Sequence, residues 1–163
     1  MNANINAHIE TPAIKPSTDW VKYVHDSLHE VFNMMLGMKV IPCEDAKLVP
    51  ELTAIVGLAG SLCGLFCIRC SKATGAKLTQ KMLNIDASES ETEVMDALGE
   101  LGNMLAGSFK ARIPGIADTC MLSIPTTITG ADYQVHPLRG GQRFEMLVRC
   151  DDEFLQVILH VNC

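Results

Sequence analysis

Two rhythms of apolar residues run along the chain. In 94–110 the apolar positions Val94, Leu98, Leu101, Leu105 and Phe109 are spaced 4, 3, 4 and 4, the period of one face of a helix. Asp96, Glu100, Asn103, Gly107 and Lys110 fall on the opposite side at spacings of 4, 3, 4 and 3. The stretch before it offers two capping boxes, Ser88-x-x-Glu91 and Ser90-x-x-Glu93. The helix is expected to run to about Arg112, with Pro114 beyond it. An earlier helix is expected from Ser17 or Thr18, either of which can cap it, to Gly37. Its buried stripe reads Val24, Leu28, Val31 and Met35.

Between these helices the rhythm changes. LTAIVGLAGSLCGLFCIRC (52–70) reads as two strands with a turn near Gly60, and Ser71 caps a further helix, KATGAKLTQKML. After Pro114, CMLSIPTTITGADYQVHP and RFEMLVRCDDEFLQVILHVNC alternate apolar and polar residues. They predict three or four antiparallel strands. Gly130-Ala131-Asp132, Arg139-Gly140-Gly141 and Asp151-Asp152 supply the turns. Residues 1–16 are polar, hold two prolines and show no period, so they read as a flexible arm before a single domain over 17–163.

The two long helices share a second pattern. An offset of 70 aligns Asp26, Leu28, Glu30, Asn33, Met34 and Gly37 with Asp96, Leu98, Glu100, Asn103, Met104 and Gly107. Each helix is followed by Ile-Pro and then by strands ending in Arg-Cys (69–70 and 149–150). This reads as an internal duplication of helix plus strands. One D-x3-E-x2-N could arise on any amphipathic helix. Two copies, matched to their apolar stripes, are harder to assign to chance.

Composition narrows the function classes. The 163 residues are 48% hydrophobic and 20% charged, enough for a real core. The net charge of −6 and the lack of a basic stripe argue against nucleic acid and anionic membranes as partners. No apolar run has the length of a transmembrane helix, and the N-terminus does not resemble a secretory signal, so a cytoplasmic location is expected. Seven cysteines cannot all pair within one chain. Cys63, Cys67 and Cys70 form C-x3-C-x2-C, but on a strand Cys70 points away from the other two. No histidine lies close by in sequence, so they read as small hydrophobes and no metal site is expected. TGAKLT (74–79) is not a phosphate loop, because Ala76 separates Gly75 from Lys77.

An exposed carboxylate and amide one helical turn apart make a poor acid–base pair, since the amide has no useful pKa. They can instead reach into another protein's site. The carboxylate can pair with a lysine, and the amide can hold a water on its line of attack. The glycines Gly99 and Gly102, with Ala106, line one flank of this row. Their small size is expected to open the surface to close approach by a partner.

ALGELGNMLAGSF (97–109) resembles the signature helix of the CheC/CheX/FliY family of chemotaxis phosphatases. IPTTITGADYQVHP and IVGLAGSLCGLFCIRCSKATGAKLTQKMLN are similar to the strand–turn and the hairpin plus second helix of its CheX members. The resemblance spans roughly residues 18–162. It implies an α/β fold of the α+β type, with a mainly antiparallel sheet and long helices packed on it. It implies hydrolysis of the phosphoaspartate of a CheY-like response-regulator receiver domain. Glu100 would pair with the receiver's phosphate-site lysine, and Asn103 would insert and orient the hydrolytic water. Asp96 would have a supporting role. The receiver would supply Mg2+, this chain would bind no cofactor, and the assembly would be a homodimer. CheX members carry one motif helix and CheC members can carry two, so the copy at Asp26, Glu30 and Asn33 leaves a second site open. The competing reading is a module that docks a receiver or flagellar-switch component without hydrolysis.

The flanks of the two copies differ. Where the second helix has Gly99, Gly102 and Ala106, the first has His29, Phe32 and Leu36. An exposed Phe32–Leu36 patch would need cover, for instance at a dimer interface. Asn33 is then expected to be partly obstructed and the first site weak or silent.

Overall fold

The computed structural model describes residues 19–44, 47–85, 90–133, 135–136 and 140–162. The expected arm over 1–16, the caps at Ser17 and Thr18 and the box at Ser88 lie outside them. Helix α1 (Asp19–Val31) continues into a π turn, Phe32–Leu36. Then come β1 (Val40–Pro42), β2 (Leu52–Gly60) and β3 (Cys63–Cys70), and helices α2 (Lys72–Leu83) and α3 (Glu91–Ala111). The chain ends with β4 (Cys120–Leu122), β5 (Thr126–Thr129), β6 (Gln142–Cys150) and β7 (Glu153–Asn162). Ser71 caps α2 by accepting from the Thr74 N–H, and Ser90 caps α3 by accepting from the Glu93 N–H. Asp151 and Asp152 turn β6 into β7, with Asp151 in the left-handed region at φ 53°.

The strands form one antiparallel sheet in the order β1-β6-β7-β3-β2-β4, with β5 also pairing to β2. The duplication read from the sequence is visible here. The hairpin β2–β3 of the first half receives its edge strands β4 and β5 from the second half. The hairpin β6–β7 of the second half receives β1 from the first. Strand β1 has no counterpart among the expected elements. Three residues ending in proline carry no alternation, and an edge is where a sheet tolerates proline.

Helices α1 and α3 share the core with the sheet. The Trp20 ring lies 6.0 Å from that of Phe109 and stacks on Phe144 at 6.2 Å, and Phe66 meets Phe109 at 5.7 Å. The stripe Val94, Leu98, Leu101, Leu105 and Phe109 is buried as expected. On α1 the stripe holds through Val31 and then shifts: Met35 is 51% exposed, while Phe32 and Leu36 are buried. The π turn is the reason. The Gly37 N–H donates to the carbonyl of Phe32, five residues back, and the extra residue per turn moves the buried face forward by one.

The flank of small residues on α3 also differs from expectation. Gly99, Gly102 and Ala106 are buried beneath the helix instead of lining an open surface. A Cβ at Gly102 would lie 3.4 Å from that of Ala54 and 3.7 Å from side-chain atoms of Val56 and Ile68. A Cβ at Gly99 would lie 3.4 Å from Pro125 and Thr127. The glycines therefore bring α3 close to its own sheet. Gly102→Leu is expected to cost about 1–3 kcal/mol by overpacking. Gly107→Ala, where the nearest neighbour of the new Cβ is 3.9 Å away, should gain about 0.5–1 kcal/mol. Urea unfolding of both variants checks this, and a neutral Gly102→Leu would contradict the packing.

Candidate functional site

Helix α3 is a 21-residue platform fixed at several points. Ser90 caps its start, its apolar face is buried on the sheet, and the Lys110 Nζ donates to the Cys120 carbonyl at 2.7 Å. Along its outer face Asp96 and Glu100 are exposed and Asn103 is half-buried. Residues three apart on a helix have Cβ atoms about 5–6 Å from each other on one face, so Glu100 and Asn103 can act on one object. Neither side chain has a hydrogen-bond or ion-pair partner among the described residues. The helix is thus anchored at both ends, while the carboxylate and the amide are left without a partner among the described residues.

The first copy is held differently. The Glu30 carboxylate accepts from the Ser108 hydroxyl at 2.6 Å and pairs with the Arg112 Nη2 at 2.9 Å. Arg112 also donates from Nη1 to the Ser108 carbonyl and from Nη2 to the Asp26 carbonyl. The hydrogen bond from Ser108, then the Arg112 guanidinium, hold the Glu30 carboxyl below its ordinary pKa. This clasp ties α1 to the end of α3. Asp26 is half-buried, with its carboxylate 3.8 Å from the His25 Nδ1. Asn33 lies within the π turn, so its spacing from Glu30 matches that of the second copy in sequence but not in winding.

The steric expectation for the first copy needs correction. Phe32 and Leu36 are covered by the chain's own core, with no role left for a dimer interface in burying them. His29 and Asn33 are both exposed, so Asn33 is not obstructed. What distinguishes the copies is the fate of the glutamate. With the offset of 70, the positions that would clasp Glu100 as Ser108 and Arg112 clasp Glu30 are Met38 and Pro42. Neither side chain can donate a hydrogen bond. The Ser108–Arg112 pair, one turn apart near the end of α3, was the available sequence signal for this clasp.

Because its folded pKa is lowered, the Glu30 carboxylate contributes stability above its unfolded pKa and loses it as pH falls through the folded value. Glu30→Gln should therefore be less stable than the parent protein at neutral pH. The difference should be under about 1 kcal/mol, because the pair is exposed. It should vanish in acid, and urea unfolding at the two pH values measures it.

Cys67 and Cys70 are buried on opposite faces of β3 and Cys63 is exposed. Burial pushes the Cys67 thiol up to about 11 and that of Cys70 up to about 12, which keeps both protonated. Among the described residues, no three His, Cys, Asp or Glu side chains are placed to hold a metal. None of the described helices is long and apolar enough to cross a membrane.

A sequence profile described as chemotaxis phosphatase CheX matches residues 52–149. The chain belongs to the CheX family. The match contains Asp96, Glu100 and Asn103 and stops short of α1 with its Asp26, Glu30 and Asn33. The CheY-P phosphatase CheX of Thermotoga maritima is 23% identical over 134 residues, covering 78% of this chain and 86% of that protein. Among solved structures, a CheC-like superfamily protein from Shewanella sp. PV-4 superposes with a TM-score of 0.76 at 21% identity. It covers 91% of this chain and 100% of that one. A CheX–CheY–BeF3–Mg2+ complex from Borrelia burgdorferi gives 0.71 at 19% identity, covering 90% and 100%. At such identities the structural likeness is one of fold, and it agrees with the α+β, CheC-like architecture described above.

Proposed function

We propose that this CheX-family chain hydrolyses the phosphoaspartate of a CheY-like receiver domain through Glu100 and Asn103. The observation that carries this reading is the Glu100–Asn103 pair, without a hydrogen-bond or ion-pair partner among the described residues, on a helix capped by Ser90 and tied near its end through Lys110. Glu100 pairs with a lysine beside the receiver's phosphoryl group and sets the docking register. Asn103 enters the receiver's site and holds a water in line with phosphorus. The water oxygen bonds to phosphorus as the bond to the aspartyl oxygen breaks. The aspartate leaves as a carboxylate, and inorganic phosphate is released. The receiver contributes the aspartate and Mg2+, and this chain contributes orientation. Asp96 adds negative charge beside Glu100 and favours approach of the lysine. The protein works in the cytoplasm as a homodimer, in chemotaxis or a related two-component pathway.

The relatives support the partner in this reading, since a CheX from Borrelia burgdorferi is seen with CheY, BeF3 and Mg2+. Glu100→Ala should weaken binding to a receiver loaded with beryllium fluoride and Mg2+ by about fivefold to tenfold, and should lower turnover as well. Added salt should weaken the parent protein's binding and affect the variant less. Titration calorimetry at two salt concentrations tests this. Binding indifferent to both the mutation and salt would rule out the lysine pairing.

A further inference from the structure

The helices cover one face of the sheet. On the other face, Tyr133, Val135 and His136 and side chains of β2, β3, β6 and β7 line a cavity of about 400 Å³. Its floor follows from strand register. Arg69 pairs with Thr53 and Gln156, Cys67 with Ile158, and Arg143 with His160, and alternate residues of each strand share this face. Tyr133 forms the roof. Its hydroxyl bonds the Thr53 hydroxyl, and the Arg69 guanidinium sits 5.5 Å from its ring centre.

The charge balance inside this cavity is one-sided. Arg69, Arg143, His136 and His160 line it, and among the described residues no carboxylate does. The Arg143 guanidinium is paired at 2.6 Å with Glu145, which also accepts from the Gln156 amide. Arg69 reaches no acid among the described residues. It donates at 3.3 Å to the Gln156 amide oxygen, and its Nε is buried without a partner. A half-buried guanidinium without a counter-charge is costly, the more so in a chain of net charge −6 that has acids to offer. Cys67 supplies no charge, because burial keeps its thiol protonated. His160 is 5% exposed and lines the cavity, and its imidazole ring has no hydrogen-bond partner among the described residues. Ile158 and Val135 give the cavity an apolar wall.

We propose that this cavity is a binding site for a small organic anion, a phosphate or carboxylate ester-sized molecule with an apolar or aromatic body. The anionic group meets Arg69, with His160 and Arg143 beside it, and the apolar body lies against Tyr133 and Ile158. The site is on the face of the sheet opposite α3, and it does not depend on the phosphatase reading.

Phenyl phosphate, inorganic phosphate and uncharged phenol are the probes, followed by proton–nitrogen NMR of the full chain. Phenyl phosphate should shift the Arg69 Nε–H and the His160 ring signals saturably, leaving the Trp20 indole in the opposite core unmoved. Inorganic phosphate should bind more weakly at the same signals, and phenol should not bind. Arg69→Gln should weaken phenyl phosphate about tenfold, and Arg69→Lys less. If Arg69→Gln does not fold, Arg143→Gln, at an exposed position, should show a loss in the same direction. Three results would overturn the proposal: no saturable shift up to about 10 mM, where a millimolar site would be filled; equal binding of phenol; or affinity unchanged in the glutamine variant that folds.

Discussion

Replacement of Asn103 by alanine should slow dephosphorylation of a receiver by about a hundredfold or more while changing receiver affinity by no more than about twofold. Preorganised polar groups that act only as the transition state forms typically contribute factors of this size. The Asn103 side chain has no hydrogen-bond partner among the described residues that alanine would lose, and alanine is the better helix former. The fold should therefore survive, which thermal unfolding can verify. Single-turnover decay of the phosphorylated receiver at saturating protein separates the two quantities. A fall in kcat with unchanged binding is the mark of a group that acts on the water. Near-normal decay by a folded Asn103→Ala protein would remove the water-holding role.

The second large effect is an asymmetry between the two copies of the motif. Glu100→Ala combined with Asn103→Ala should leave little activity, and Glu30→Ala combined with Asn33→Ala should keep most of it. Glu30 is already engaged by Ser108 and Arg112, and its partner amide sits in a π turn. To meet a receiver lysine, Glu30 would first have to release a guanidinium and a hydroxyl, whereas Glu100 has no such partner among the described residues. The first double variant should lose a little stability through the broken clasp, on the order of 0.2–1 kcal/mol for an exposed pair. Its activity is therefore to be compared well below its unfolding temperature. Loss of half or more of the activity by that variant while folded would mean that both helices work.

The sequence carries the elements whose signals are local. Spacings of 4, 3, 4 and 4 identify the buried stripe of α3, Ser71 and Ser90 mark helix starts, and Gly60 and Asp151–Asp152 mark the hairpins. The exchange of edge strands between halves is consistent with the repeat, but it emerges only from the pairing of β1 with β6 and of β4 with β2. The π turn escapes a reading that assumes 3.6 residues per turn, and so the shift of the buried face from Met35 to Leu36 is missed. Gly99 and Gly102 are misplaced by a helical wheel because glycine has no side chain to reveal which face it serves. Beneath α3 they serve the sheet. The residues chosen for the site, Glu100 and Asn103, do project from the outer face. The difference between them and Glu30 and Asn33 depends on a contact spanning 78 residues, from Ser108 to Glu30; the Ser108–Arg112 pair supplies the donors in sequence, but only the packing of α1 on α3 shows which acid they meet.

The most direct measurement is phosphate release from a phosphorylated receiver of the same genome, in the presence of Mg2+ and a small fraction of an equivalent of this protein. Catalytic amounts should shorten the receiver's phosphorylated lifetime through many turnovers, and the Glu100→Ala, Asn103→Ala double variant should restore the lifetime of the receiver alone. If the protein binds the phosphorylated receiver but leaves its lifetime unchanged, the chain is a docking module and the hydrolytic role of α3 is wrong.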